Sequence, residues 1–216
     1  MSLALRVVDA DGQEPPEPYL VRLGGWSEER YLAEAPEDRV VEFEEGEIIV
    51  PPPATARHHQ LVRFLTFLLA GYARTRQRGE VLNGPAVVRL GPGLYYEPDI
   101  FFIRQDMLPY LEEKYFAGVP ALVVEITSAS TRNRDLKEKA AVYAQYGVEE
   151  YWVVETQAGA LYQHVQTPGG TSGYRRQEYR QGKMLSQSLP GFWLDVSWLW
   201  QEPLPPELPC LQEIMD

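Results

Sequence analysis

The segment from residue 121 to residue 154 constrains the fold more than any other part of the chain. Ala121-Leu122-Val123-Val124-Glu125-Ile126-Thr127 is a near-continuous apolar run, as expected of a strand buried on both faces. Thr131 or Asn133 then caps a helix reaching Tyr146, with Gly147 just beyond its end, and Tyr151-Trp152-Val153-Val154 returns as a second strand. Two strands joined through a helix form a β-α-β crossover, which lays them parallel in one sheet with the helix on its face. The chain is therefore expected to be α/β, or α+β with a mixed sheet.

The flanking sequence adds elements to this unit. Residues 26–35 read as a short helix with Ser27 as N-cap and Pro36 as its stop. Residues 39–43 and 47–50 flank Glu44-Glu45-Gly46 as a hairpin. From 56 to 76, Leu61, Phe64, Leu65, Leu68 and Tyr72 recur at three and four residues, the stripe of a long core-facing helix. Residues 80–90 and 95–103 read as paired strands around Gly91-Pro92-Gly93, with Gly84-Pro85 as a break or bulge in the first. Residues 160–165, 174–180 and 184–186 supply further β-hairpins. The proline clusters at 15–18 and 203–209 can continue neither helix nor central strand. The expected division is an N-terminal extension at 1–24, a globular domain at 25–201 and a Pro-rich tail at 202–216.

Hydrophobic residues at 44% and charged residues at 24% are those of an ordinary folded domain and exclude disorder over most of the length. One cysteine, Cys210, permits no internal disulfide, and no apolar run approaches the ~20 residues of a membrane span. The expectation is a cytoplasmic protein without membrane contact. A net charge of −11 repels nucleic acid as a whole, although phosphate neutralisation needs only a few local Lys or Arg.

Two acids interrupt apolar strands. Asp99 follows Pro98 and precedes Ile100-Phe101-Phe102-Ile103, and Glu125 sits inside the run at 121–127. A carboxylate there is costly to desolvate unless a cation or several hydrogen bonds meet it. Each acid alone is accounted for by an ion pair or a strand end reaching solvent. Together, on strands able to neighbour each other, they form a candidate pair sharing an ion, since two carboxylates in one site repel strongly without one. Hard oxygen ligands suit Mg²⁺ or Mn²⁺, the backbone carbonyl of Ile126 is a further candidate ligand, and no Cys or His spacing resembles a zinc set. The two carboxylates are expected within a few Å of each other in a cleft at the sheet edge.

An ordered series of residues then resembles a known family. Glu42 with Gly46-Glu47, a long helix preceded by Pro and His, Pro98-Asp99, Val124-Glu125-Ile126-Thr127-Ser128-Ala129-Ser130-Thr131, Asp135, Lys139 and Tyr143, and Gly147-Val148-Glu149-Glu150-Tyr151-Trp152 look like the Uma-two family of restriction-endonuclease-like nucleases. The resemblance covers about residues 27–200 and extends to the PD-(D/E)XK superfamily. It implies a restriction-endonuclease-like core, a central mixed sheet flanked by helices, with a Mg²⁺ site. It further implies Asp99 as the Asp of the Pro-Asp half, Glu125 as the next acidic ligand and Glu42 as the acid near the start of the fold. The superfamily has Lys two residues after the second acid; this chain has Thr127, and Lys139 on the following helix is the candidate replacement. In a regular helix advancing ~100° per residue, Lys139 falls at the border of the stripe made by Leu136, Ala140 and Tyr143, while Lys137 leans outward.

Two functions of different classes follow. One is a Mg²⁺-dependent nuclease acting on DNA, with Asp99 and Glu125 on the metal, Glu42 aiding by ligand or water contact, and Lys139 orienting or deprotonating the attacking water. A homodimer is the expected form if both strands of a duplex are cut. The other is a catalytically inactive nuclease fold serving as a binding or assembly module. Ser128 to Thr131 read as a strand-to-helix cap, His59 as a solvent-facing or capping side chain or a base, and Arg132 and Arg134 as phosphate contacts or a solvated helix start. Arg175, Arg176 and Arg180 read as an exposed hairpin, and Tyr151 and Trp152 as core.

Overall fold

The computed structural model describes residues 20–36, 39–167 and 173–216. The expected proline break at 15–18 lies outside them. In chain order the strands are β1 (Val21–Gly24), β2 (Glu42–Glu44), β3 (Glu47–Val50), β4 (Gly79–Asn83), β5 (Val88–Gly91), β6 (Leu94–Tyr96), β7 (Ile100–Arg104), β8 (Leu122–Thr127), β9 (Glu150–Glu155), β10 (Ala160–Gln166), β11 (Tyr174–Tyr179), β12 (Lys183–Leu185) and β13 (Trp193–Asp195). The α-helices are α1 (Glu28–Glu34), α2 (Ala56–Thr75), α3 (Ala140–Tyr146) and α4 (Glu207–Met215), and a π-helical turn, Arg134–Lys139, runs directly into α3.

The central sheet has six strands in the order β11-β10-β9-β8-β7-β4, with β8 and β9 parallel and every other pair antiparallel. It is the expected mixed sheet, with the crossover between β8 and β9. Its side chains alternate cleanly. Leu122, Val124, Ile126, Trp152 and Val154 pack with Leu61, Phe64, Leu65 and Leu68 of α2, while Val123, Tyr151 and Val153 face Ala140 and Tyr143 of α3. Each fully buried Leu or Phe on α2 contributes about 1.5–3 kcal/mol relative to exposure, so this helix is held by its apolar stripe. Thr55 caps it by accepting the His58 amide, and Gly147, at φ 86, closes α3 in the left-handed conformation that a side chain would strain.

A second, antiparallel sheet has the order β1-β3-β2-β6-β5. The two expected long strands at 80–90 and 95–103 do pair, but the hairpin is divided between the sheets: β4 pairs β7 in the central sheet, and β5 pairs β6 in the second. The physical reason is proline. Pro85 and Pro98 have no N–H to give a continuous ladder, so the chain creases at both, and Asp99 sits at the crease. Ser27 caps α1 as expected, its hydroxyl accepting from the Arg30 amide, and Tyr31 of α1 packs on Phe43 and Tyr95 of the second sheet.

Both ends of the expected body carry more structure than prolines suggest. Val21–Gly24 pairs with β3 as an edge strand, and after Pro206 the chain resumes as α4, where Cys210 and Ile214 join the core against α2. Proline at 203–206 breaks the chain before the helix and leaves the apolar face beyond it intact. Among the described residues no helix is long and apolar enough to cross a membrane.

Candidate active site

The β7–β8 ladder explains why the two acids meet. Ile100 pairs with Val124 as the last registered pair, and Asp99 and Glu125 are the next residues on the two strands, near enough for the Asp99 charge to act on Glu125. Asp99 Oδ2 accepts the Ile126 amide at 2.7 Å and bonds His58 Nε2 at 3.0 Å. Glu125 Oε1 accepts Lys139 Nζ at 2.7 Å and the Tyr143 hydroxyl at 3.2 Å. Both acids line a cleft of about 960 Å³, together with Glu42, Glu97, Asp135 and Lys139. The cleft lies between the two sheets, over the C-terminal end of central strand β8, rather than at an outer sheet edge. The creased hairpin carries residues from one sheet into the other at that point.

Lys139 reaches further than an exposed helical contact with Asp135. Its Nζ stands 4.0 Å from Asp135 Oδ1 but 2.7 Å from both Glu42 and Glu125. The π-turn accounts for this. A wider turn needs more residues to come round than the 3.6 of an α-helix, so Arg134 and Lys139, five apart, both point at β2. Arg134 is buried, donates to Glu42 Oε2 at 2.9 Å from Nη2 and to Glu44 at 3.0 Å, and stacks its guanidinium on Tyr96. Glu42 Oε1 is taken by Lys139 and, at 3.3 Å, by the Glu97 amide. Both Glu42 oxygens are thus spent on protein donors.

The charge states follow from burial and neighbours. Burial opposes the Glu42 carboxylate, yet Lys139 and Arg134 outweigh it and hold the group below its ordinary value. Burial pushes Glu125 well above the ordinary range against the pull of Lys139, with Asp99, Asp135 and Glu42 adding to the rise. Lys139 loses solvation but gains Glu125 and Glu42, and stays protonated, its pKa well raised. Asp135 is raised by burial despite Lys139 and hydroxyl bonds from Thr131 and Thr127. Glu97 is moved to about 7, by burial first, although its carboxylate accepts the Val41 amide at 2.9 Å. For His58 burial acts downward, and the bond to Asp99 with its charge overcomes this and raises the ring above its usual value.

Around the cleft the remaining sequence candidates fall into place. Ser128 and Thr131 cap each other reciprocally, amide to hydroxyl at 3.1 and 3.3 Å. Arg132 pairs with Glu155, and Arg175, Arg176 and Arg180 lie exposed. His59 is exposed with its ring edge-on to His58, and Tyr151 and Trp152 are fully buried. Arg134 is neither a phosphate contact nor a solvated helix start, because the π-turn rotates it inward onto Glu42. Sequence reasoning passed over His58, Glu97 and the inward role of Arg134. Glu97, two residues before Asp99 in Glu97-Pro98-Asp99, carried a signal as an acid entering an apolar strand.

The donor set fits a hard divalent cation. Asp99 and Glu125 each spend one oxygen on protein donors, and their other oxygens, Oδ1 and Oε2, accept no hydrogen bond from a described residue. With the Ile126 carbonyl at the same strand end these are oxygen ligands only, the preference of Mg²⁺ and Mn²⁺. Among the described residues no three His, Cys, Asp or Glu side chains form a ready metal cluster. An ion there would keep part of its water shell, as Mg²⁺ commonly does.

Comparison with known proteins agrees with this architecture. The Uma2 family model, described as "Putative restriction endonuclease", matches residues 27–197. Among solved structures, one titled as a putative nuclease belonging to DUF820 from Anabaena variabilis ATCC 29413 superposes with a TM-score of 0.66 at 13% identity, covering 80% of this chain and 96% of that one. The likeness is one of fold. No curated protein matches the sequence.

Proposed function

Because the chain belongs to the Uma2 restriction-endonuclease family, we propose that it hydrolyses phosphodiester bonds of DNA with Mg²⁺ or Mn²⁺. The observation that carries this reading is that Asp99 and Glu125, just beyond the last β7–β8 pair, line one cleft, with Lys139 delivered to Glu125 from the next helix. Asp99, Glu125 and the Ile126 carbonyl are the residues that would hold the ion. A divalent cation supplies charge to polarise a phosphate and a water of lowered pKa.

The chain's own groups divide the remaining work. Lys139 keeps its proton between two carboxylates, so of the two roles expected for it, it takes the orienting one: a fixed positive charge beside the place where charge develops. Glu42 has no oxygen to spare for an ion, and its part is to hold Lys139 with one oxygen and Arg134 with the other. Thr127, where the superfamily has Lys, instead meets Thr131 hydroxyl to hydroxyl at 3.2 Å and donates to the Ser128 carbonyl at 3.2 Å.

One feature favours the second reading, a binding or assembly module. The buried chain of Arg134, Glu42, Lys139 and Glu125 is closed within the protein. Purified protein incubated with single- and double-stranded DNA and with RNA, with and without Mg²⁺ or Mn²⁺, decides between them. Metal-dependent cleavage that is absent from Asp99→Asn/Glu125→Gln supports the nuclease. A wild-type protein that cuts none of these substrates leaves the module. Cutting both strands of a duplex at one place would require two clefts and a two-fold pair of chains, which sedimentation with and without DNA tests.

A further inference from the structure

We propose that His58 is a positioning residue that sets the plane of the Asp99 carboxylate, leaving Oδ1 as the oxygen that faces a bound cation. The inference rests on the metal reading above and goes beyond it by assigning a residue outside the acid and lysine set. Asp99 precedes β7 at the crease, beyond the last registered pair of the β7–β8 ladder, so that ladder alone does not fix its side chain. Two donors do so, and both choose Oδ2: the Ile126 amide at 2.7 Å and His58 Nε2 at 3.0 Å. A single bond would let the carboxylate turn about it. Two bonds from different elements, one from β8 and one from α2, define its orientation.

His58 is itself well held. The Thr55 hydroxyl accepts its amide at 3.2 Å. The preceding residue, Arg57, donates from Nη2 to the carbonyls of Leu199 at 2.8 Å and Gln201 at 3.0 Å, fastening the first turn of α2 to the C-terminal part of the chain. The ring nitrogen Nδ1 is buried and meets no partner among the described residues. With a proton on Nε2, carried by the protonated ring and by one neutral tautomer alike, His58 is a hydrogen-bond donor to Asp99. Groups that orient a metal's ligands from behind typically change affinity by about 10–100-fold when removed.

Titration of the full-length protein with Mn²⁺ by calorimetry tests this without any nucleic acid. Wild type is expected to bind, His58→Leu to bind about 10–100-fold more weakly, and His58→Gln, whose side-chain amide restores a donor, to recover much of the loss. Arg63→Ala, on the exposed side of the same helix, is the control for general disturbance of α2 and should bind like wild type. Melts in chelator show whether His58→Leu is folded; if it is not, the comparison of His58→Gln with wild type and with Asp99→Asn carries the test. Equal Mn²⁺ affinity in folded His58→Leu and wild type overturns the positioning role and leaves the metal site standing. Wild type with no Mn²⁺ site overturns the metal reading, and the positioning role with it.

Discussion

Glu97 is buried beside Glu42, and burial first, with the Glu42 charge, raises its carboxyl from 4.5 to about 7. An acid whose pKa is raised by folding subtracts stability as pH climbs from the unfolded value through the folded one, because the unfolded chain gives up the proton first. Glu97→Gln, which still offers an oxygen to the Val41 amide, is expected to stabilise the protein at about pH 8 by at most ~3 kcal/mol and to do nothing at about pH 4. Urea unfolding at the two pH values checks it; a difference independent of pH would refute the assignment. Lys139 behaves in the opposite sense. Lys139→Ala leaves Glu42 and Glu125 buried without their shared cation, a loss of about 3–5 kcal/mol in metal-free unfolding, and cleavage should vanish while Mn²⁺ still binds. Lys137→Ala, on the exposed side of the turn, should change neither, and full cleavage by Lys139→Ala would sink the role given to it. Asp99 and Glu125 were legible in the sequence as carboxylates where strands should be apolar, and Glu42 and Lys139 through family resemblance. His58 and Arg134 were not, because their partners lie far away in sequence and polar side chains near a helix start ordinarily face solvent.

Among the elements, the π-turn before α3 decides the most. Reading the segment as a regular helix placed Lys139 at the edge of the inward stripe; the wider turn moves it fully inward and brings Arg134 with it. Nothing in the local pattern distinguishes such a turn, since it is held from outside: the Tyr151 hydroxyl of β9 donates to the Asp135 carbonyl within it at 3.0 Å. Tyr151→Phe keeps the ring packing and removes that bond. It should cost about 1–3 kcal/mol and speed amide exchange specifically across residues 134–139, as hydrogen–deuterium exchange mass spectrometry would show; unchanged exchange there would refute the tie. The β-α-β unit, the capped helices and the hairpin at 42–50 were legible because each rests on local periodicity and turn chemistry. The division of the 79–104 hairpin between two sheets was not. Prolines mark where a ladder breaks but not where the free ends go, and that is settled by which sheet offers an open edge.

At the scale of the whole molecule, the cleft gathers Glu42, Asp99, Glu125 and Asp135 against the two buried cations Arg134 and Lys139. A divalent ion would offset the surplus negative charge, so Mn²⁺ should raise the melting temperature of wild type and fail to do so for Asp99→Asn or Glu125→Gln. The same variants should melt higher than wild type in chelator, since each removes one of two like charges set against each other. An undiminished Mn²⁺ shift in Asp99→Asn would count against a shared ion. The creased hairpin also has a bearing on synthesis. Because it threads Asp99 between a sheet begun near residue 21 and a sheet that needs β9, and because Lys139 follows Glu42 by nearly half the chain, a polypeptide still leaving the ribosome carries Glu42 and Asp99 well before it carries the lysine and the strand that assemble them. The cleft is therefore assembled only once β9 has emerged and both sheets have formed.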